Sequence, residues 1–187
     1  SLYVAGKDVA MVDLAVRKIN CTKNLTGQPI TVKIKNNSGQ VINNLPVFYK
    51  VDNNPTVSEV IAGPVNTNDT VTYVFNTLFN YTTPGTYSLQ VWTSNPGDRY
   101  KQNDSINTFS VIVMPTIDEF PYYNDFETNN GNLYSEGVHN SWVWTAPSKF
   151  NINNAAQDNK AWTTGAGKGY NFNEDSYLYL GCMDFSG

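Results

Sequence analysis

The sequence predicts an all-β protein, and three observations carry that prediction. Apolar residues recur with a period of two in short runs, Gly, Pro, Asn and Asp cluster between the runs, and no stretch sustains the 3.6-residue period of a helix. Aromatic residues make up 13% of the 187 and hydrophobic residues 40%, against 15% charged, which excludes a disordered chain and leaves polarity to Asn, Thr, Ser and Gly.

The first strand is expected over Val9 to Ile19. In the second, Ile30, Val32 and Ile34 alternate with Thr31, Lys33 and Lys35, the pattern of a half-buried strand. Val47 to Val51, Val57 to Ile61, Val71 to Phe75, Tyr87 to Val91 and Phe109 to Val113 follow, which makes seven strands, the number a small Ig-like sandwich needs. Turn chemistry separates them at Asn37-Ser38-Gly39, Asp52-Asn53-Asn54-Pro55, Pro84-Gly85 and Asn95-Pro96-Gly97-Asp98. One short helical turn is expected at Leu78 to Tyr81. Tyr87, just after Pro84-Gly85, is placed either to pin the preceding corner through its hydroxyl or to serve as a plain core residue. Trp92 falls on the face opposite Tyr87, Leu89 and Val91, where cover by the neighbouring unit is expected.

Pro115 ends the last of these strands and sets the expected boundary between a first domain, 1–114, and a second, 115–187. Beyond it the aromatics cluster: Phe120, Tyr122, Tyr123, Phe126, Tyr134, Trp142, Trp144 and Phe150. The stretch from Asn140 to Gly187 reads as the opening of a β-domain whose closing half lies elsewhere. The predicted fold is therefore a seven-stranded Ig-like sandwich followed by a partial β jelly-roll unit, read as part of a larger protein.

The formal net charge is −4 and the 12 Lys and Arg are scattered, so no nucleic-acid partner is expected, because phosphate neutralisation needs clustered cations. No apolar run approaches the ~20 residues of a membrane helix, and no membrane insertion is expected. The two cysteines, Cys21 and Cys182, have neither metal-site nor CxxC spacing. A bridge between them requires the loop after the first strand to reach the second unit. The favoured expectation is that Cys182 pairs beyond Gly187 or that both are thiols.

Catalytic signals are poor. The single His139 has no nucleophile motif around it and reads as a polar loop residue. Asp118, Glu119, Asp125, Glu127 and Glu136 would form a glycosidase pair only at a defined separation across a sugar, and they read as solvated loop acids. A metal site is the sharper expectation. If Asp125, Phe126 and Glu127 lie on a strand, the two carboxylates share a face while the Phe enters the core, and hard oxygens on one face suit a structural Ca²⁺. The competing reading is an edge strand carrying solvated acids. For ligand binding, Trp142, Trp144 and Trp162 could stack on sugars, but Trp142 and Trp144 share a strand face that suits the core; Tyr122 and Tyr123 are the better exposed platforms.

The stretch from Asp8 to about Val113 resembles the Ig-like modules, related to the CARDB adhesion type, of secreted Bacteroidetes proteins. The resemblance rests on GTYSLQVWTSNPGD at Gly85 to Asp98 and QND at Gln102 to Asp104. FPYYNDFE at Phe120 to Glu127, NSWVWTAP at Asn140 to Pro147 and SYLYLGCMDFSG at Ser176 to Gly187 are similar to the start of MAM-like or lectin-like jelly rolls. The resemblance implies export by the type IX secretion system, a structural ion near the DFE of Asp125 to Glu127, and O-glycosylation at Thr70 and Ser105. Those residues follow aspartate in Asp69-Thr70-Val71 and Asp104-Ser105-Ile106; chance turns carrying an Asp give the same tripeptide. The Asn-x-Ser/Thr sequons, such as Asn24 and Asn80, are read as a by-product of high Asn content.

The function expected is that of a non-catalytic extracellular or outer-membrane-surface segment: a spacer plus a binding module of an adhesin-like protein, with a glycan or surface protein as ligand. The alternatives are an accessory region of a secreted hydrolase, with its catalytic domain outside these residues, and a subunit completed by a strand-donating partner.

Overall fold

The computed structural model describes residues 6–23, 25–156 and 158–186, so the Asn24 sequon and Gly187 lie outside the described residues. The chain is all-β. Its described residues divide into two units, 6–20, 25–82 and 86–113 in the first, and 21–23, 83–85 and 114–186 in the second.

Eight strands, not seven, run from β1 to β8: β1 (Val9–Ala15), β2 (Ile19–Cys21), β3 (Thr31–Asn36), β4 (Leu45–Val51), β5 (Val57–Ile61), β6 (Thr70–Val74), β7 (Gly85–Thr93) and β8 (Ser105–Met114). They form two sheets, β1-β3-β6 and β2-β8-β7-β4-β5. The extra strand arises because the predicted first strand breaks and changes sheets. β1 pairs with β3, with a register shift between Met11 and Asp13. After the break, the Lys18 carbonyl accepts from Ile112 N–H at 2.7 Å, which places the continuation beside β8. The buried Asn20 amide donates to the Arg17 carbonyl at 2.8 Å and satisfies the backbone at the crossover.

The core lies between the inward faces of these sheets: Val32 and Ile34 of β3, Val47, Tyr49 and Val51 of β4, Leu89 and Val91 of β7, and Val111 and Val113 of β8. Period-two burial, with every second side chain of β4 buried, follows directly from the pleat. Tyr49, 1% exposed, meets Phe75 edge to face at 4.9 Å and donates its hydroxyl to the Thr77 carbonyl at 2.8 Å. A tyrosine hydroxyl that pins a loop is that of Tyr49, on the Thr77 carbonyl. Tyr87 joins an edge-to-face cluster with Phe79 and Tyr81. No helical turn forms at Leu78 to Tyr81, because Phe79 makes a two-way bridge with Gln28, at 2.8 and 3.1 Å; the helical turn described is a 3₁₀ turn at Lys101–Asn103. Trp92 stacks on Phe48, its cross-strand partner in the same sheet, with ring centroids 5.4 Å apart.

The second unit contains β9 (Thr116–Ile117), β10 (Tyr134–Val138), β11 (Trp142–Thr145), β12 (Ala161–Thr164), β13 (Asp175–Tyr179) and β14 (Cys182–Met183). They make three two-stranded sheets, β10 with β13, β11 with β12, and β9 parallel to β14. Gly137, at φ 136°, faces Ser176 in the first of these, where a Cβ would strike the Asp175 carbonyl and Ser176 Cα.

Cys21 and Cys182 form a disulfide, with Cα atoms 5.8 Å apart, so neither is a thiol. Both belong to the second unit, because residues 21–23 are gathered around β9 and β14. Thr22 Oγ1 accepts from Thr116 N–H at 2.9 Å, Thr22 N–H donates to the Met114 carbonyl at 2.9 Å, and Lys23 pairs with Asp184.

Candidate functional site

Two irregular stretches of the second unit, 139–141 and 170–174, the latter running into the start of β13, are tied to one another through a carboxylate. Glu174 accepts from Ser141 N–H at 3.0 Å, from Ser141 Oγ at 2.6 Å, from Ser176 Oγ at 2.6 Å and from Asn171 N–H at 3.0 Å. The two serine hydroxyls and the two N–H groups hold its carboxyl down to about 2, so it is an anion across the physiological range. His139 completes the tie: its Nδ1 lies 2.7 Å from the Phe172 carbonyl and its own carbonyl accepts from Asn171 Nδ2 at 2.9 Å. His139 sits at φ 53° and Asn173 at φ 53°, which turns the chain sharply at both places.

This framework borders an open cleft of about 520 Å³, lined by Trp142, Tyr170, Asn171, Asn173, Asp175 and Ser176 among others. Trp142 is delivered by β11, opposite Thr164 of β12, and its backbone is capped by Asn140 Oδ1 at 3.1 Å. Tyr170 is 75% exposed. An aromatic face beside amide and carboxylate groups offers stacking surface together with both donors and acceptors, the equipment for a flat, hydroxyl-rich ligand.

The structure separates the two tryptophans that share a strand face. Trp142 lines the cleft, whereas Trp144 is committed inside the unit: its indole N–H donates to the Phe126 carbonyl at 2.7 Å, and Lys160 Nζ lies 4.3 Å from its ring centroid. Trp162 is used likewise, donating to the Asn130 carbonyl at 2.9 Å. Tyr122 and Tyr123 are exposed, and Tyr123 borders a second concavity of about 470 Å³ with Asp125, Phe126 and Lys160.

Asp125 to Glu127 is not a strand, so the alternation that put both carboxylates on one face does not apply. Phe126 has φ 63°, which breaks an extended run. Asp125 Oδ1 caps Glu127 N–H at 3.0 Å, and Glu127 Oε1 accepts from Asn159 and Lys160 N–H at 3.0 and 2.8 Å. Among the described residues no group of three His, Cys, Asp or Glu side chains converges on a metal position. Thr70 and Ser105 each open a strand, β6 and β8. Thr70 is exposed and Ser105 is half-buried, its hydroxyl 3.1 Å from Asn107 Oδ1.

Sequence reasoning missed Glu174 and the amides around it. The signal was present in the run Tyr170-Asn-Phe-Asn-Glu-Asp-Ser176, polar and amide-rich beside aromatics, but the partner serine lies 33 residues away.

These features define an all-β protein of two units whose second unit carries an aromatic-walled polar cleft. No family model matches the chain. No curated protein matches it. Among solved structures it is similar to the CARDB domain of the PF1109 protein from Pyrococcus furiosus, determined in complex with di-metal ions, at 14% identity over 60% of this chain and 93% of that chain, with a TM-score of 0.43.

Proposed function

We propose that this chain is a non-catalytic, extracellular recognition segment of an adhesin-like protein: the sandwich unit is a spacer and the second unit binds a glycan in the Trp142 cleft. The single observation that carries the reading is the cleft itself, an aromatic ring and a locked carboxylate loop around about 520 Å³. The saturated Glu174 is a poor general acid or base, because its proton affinity is too low for transfer near neutral pH. It fits a scaffold that holds the loop. The Cys21–Cys182 disulfide supports an oxidising, extracellular setting.

The test is a screen of the full chain on an array of neutral and acidic oligosaccharides, followed by calorimetry on any hit with the wild type and Trp142→Ala. Binding that falls at least ten-fold in the variant, with the melting temperature kept, supports the reading. Absence of any glycan binding, or binding indifferent to Trp142, overturns it.

A second reading is favoured by the strand pairing. Among the described residues the sheets of the second unit are each two-stranded, and the outer edge of a two-stranded pair is where a further strand can add. We read these edges as acceptors for strands from the rest of the parent protein or from a strand-donating partner. Greater hydrogen-exchange protection of β10 and β11 in the longer parent protein or the partner complex would support it; unchanged protection would sink it.

A further inference from the structure

The loop from Asn95 to Asp104 in the sandwich unit carries buried oxygen atoms that the protein does not satisfy. Asp98 and Asp104 are 7% and 6% exposed. Asp98 is saturated by main-chain donors: Oδ2 accepts from Val9 N–H at 2.7 Å and Oδ1 from Tyr100 N–H at 2.8 Å. Its neighbours are not. Asn103 uses its Nδ2 on Asp8 Oδ1 at 2.9 Å, which leaves Asn103 Oδ1 buried without a donor. Asp104 uses Oδ2 on Lys101 Nζ at 3.2 Å, which leaves Asp104 Oδ1 buried without a donor.

We propose that this loop is a cation site for Ca²⁺, with Asn103 Oδ1 and Asp104 Oδ1 as side-chain ligands. A buried oxygen without a donor costs free energy, and two such oxygens on consecutive residues, with the Asp98 carboxylate set against Asp104, are offset by a partner that presents positive charge. Ca²⁺ takes hard carboxylate and amide oxygens together with main-chain carbonyls and water. Lys101 does not fill this role: it holds the other oxygen of Asp104 from a side chain that is 61% exposed. The buried Asn95 Nδ2 also lacks a partner, and a half-turn of that amide would present an oxygen instead. Two side-chain ligands without a converging third carboxylate correspond to a weak site, of the kind found in extracellular modules with dissociation constants of about 10⁻⁴ to 10⁻³ M. The site lies in the first unit and is independent of the Trp142 cleft.

The experiment is the melting temperature of the full chain in EDTA and in millimolar CaCl₂, for the wild type, Asp104→Asn and Asp125→Asn. The expected result is a rise of roughly 5 °C with Ca²⁺ in the wild type, retained in Asp125→Asn and abolished in Asp104→Asn. Asn103→Ala serves if Asp104→Asn fails to fold, and Tb³⁺ luminescence excited through Trp92, which borders the same concavity as Asp104, gives a readout separate from stability. A wild type that Ca²⁺ does not shift overturns the proposal. So does a shift that survives Asp104→Asn or Asn103→Ala, or one lost in Asp125→Asn alone, which would hand the ion to the 125–127 loop.

Discussion

The indole N–H of Trp144 donates to the carbonyl of Phe126, 2.7 Å away, and Phe126 is itself in the left-handed region at φ 63°. A residue with a large side chain pays for that conformation. The Trp144 bond, the Asn124 Oδ1 contact to Phe126 N–H at 2.7 Å and the Glu127 bonds to 159–160 together hold the 124–127 turn in place. Trp144→Phe keeps the ring and removes the donor. We expect a loss of about 1–2 kcal/mol, seen as a lower urea midpoint for the second unit, with glycan binding retained.

Trp142→Ala should do the reverse. The ring is half-buried and its backbone contacts survive truncation, so stability should fall by about 1 kcal/mol while binding is lost. Calorimetry and thermal melts on the same two variants separate the roles of neighbours on one strand face.

Glu59 gives a pH dependence. Burial alone would raise its carboxyl, but the Asn76 N–H, the Tyr73 hydroxyl and the Thr77 N–H outweigh burial and hold it at about 2. The folded value is depressed, so the stability it contributes is fully present above the unfolded value of about 4.3. That contribution is lost as pH falls toward 2. Glu59→Gln should flatten the stability profile between about pH 4.5 and 2 and lower stability at pH 7 by about 1 kcal/mol, the effect being reduced by solvent screening of this partly exposed carboxylate. Denaturant midpoints across that window would show it, and an unchanged slope would contradict the assignment.

The Cys21–Cys182 bridge spans 161 residues, and chain-entropy arguments place the stabilisation from closing such a loop at about 5 kcal/mol. The Cys21→Ser, Cys182→Ser double variant should melt lower, and wild-type melting should become sensitive to reductant. Peptide mapping under non-reducing conditions tests the linkage directly.

Much of the sandwich was legible because its strands obey one rule. Val32 and Ile34, or Val47, Tyr49 and Val51, alternate with polar or half-exposed neighbours, and burial follows the same alternation. The break between β1 and β2 was not legible, since apolar residues run through Val9 to Ile19 on either side of a crossover set by partners in different sheets. Residues 125–127 misled for a related reason: an alternating acid-Phe-acid triplet suits a strand, and the local caps from Asn124 and Asp125 together with the distant donors from Trp144, Asn159 and Lys160 fix it as a turn. Of the candidate site, Trp142 was named in advance, but Glu174 was not. Its role depends on Ser141, and no local period records a partner 33 positions away.

The disulfide also sets how the chain responds to force. Tension applied at the two ends travels through the covalent link between Cys21 and Cys182, so the 161-residue span between them cannot be drawn out while the bridge is intact. Fully extended, that span would add roughly 500 Å of contour. Such a shortcut limits the extensible length to the segments outside the ring, and reduction would release the rest as slack. Single-molecule pulling with and without reductant would read the difference directly as step length.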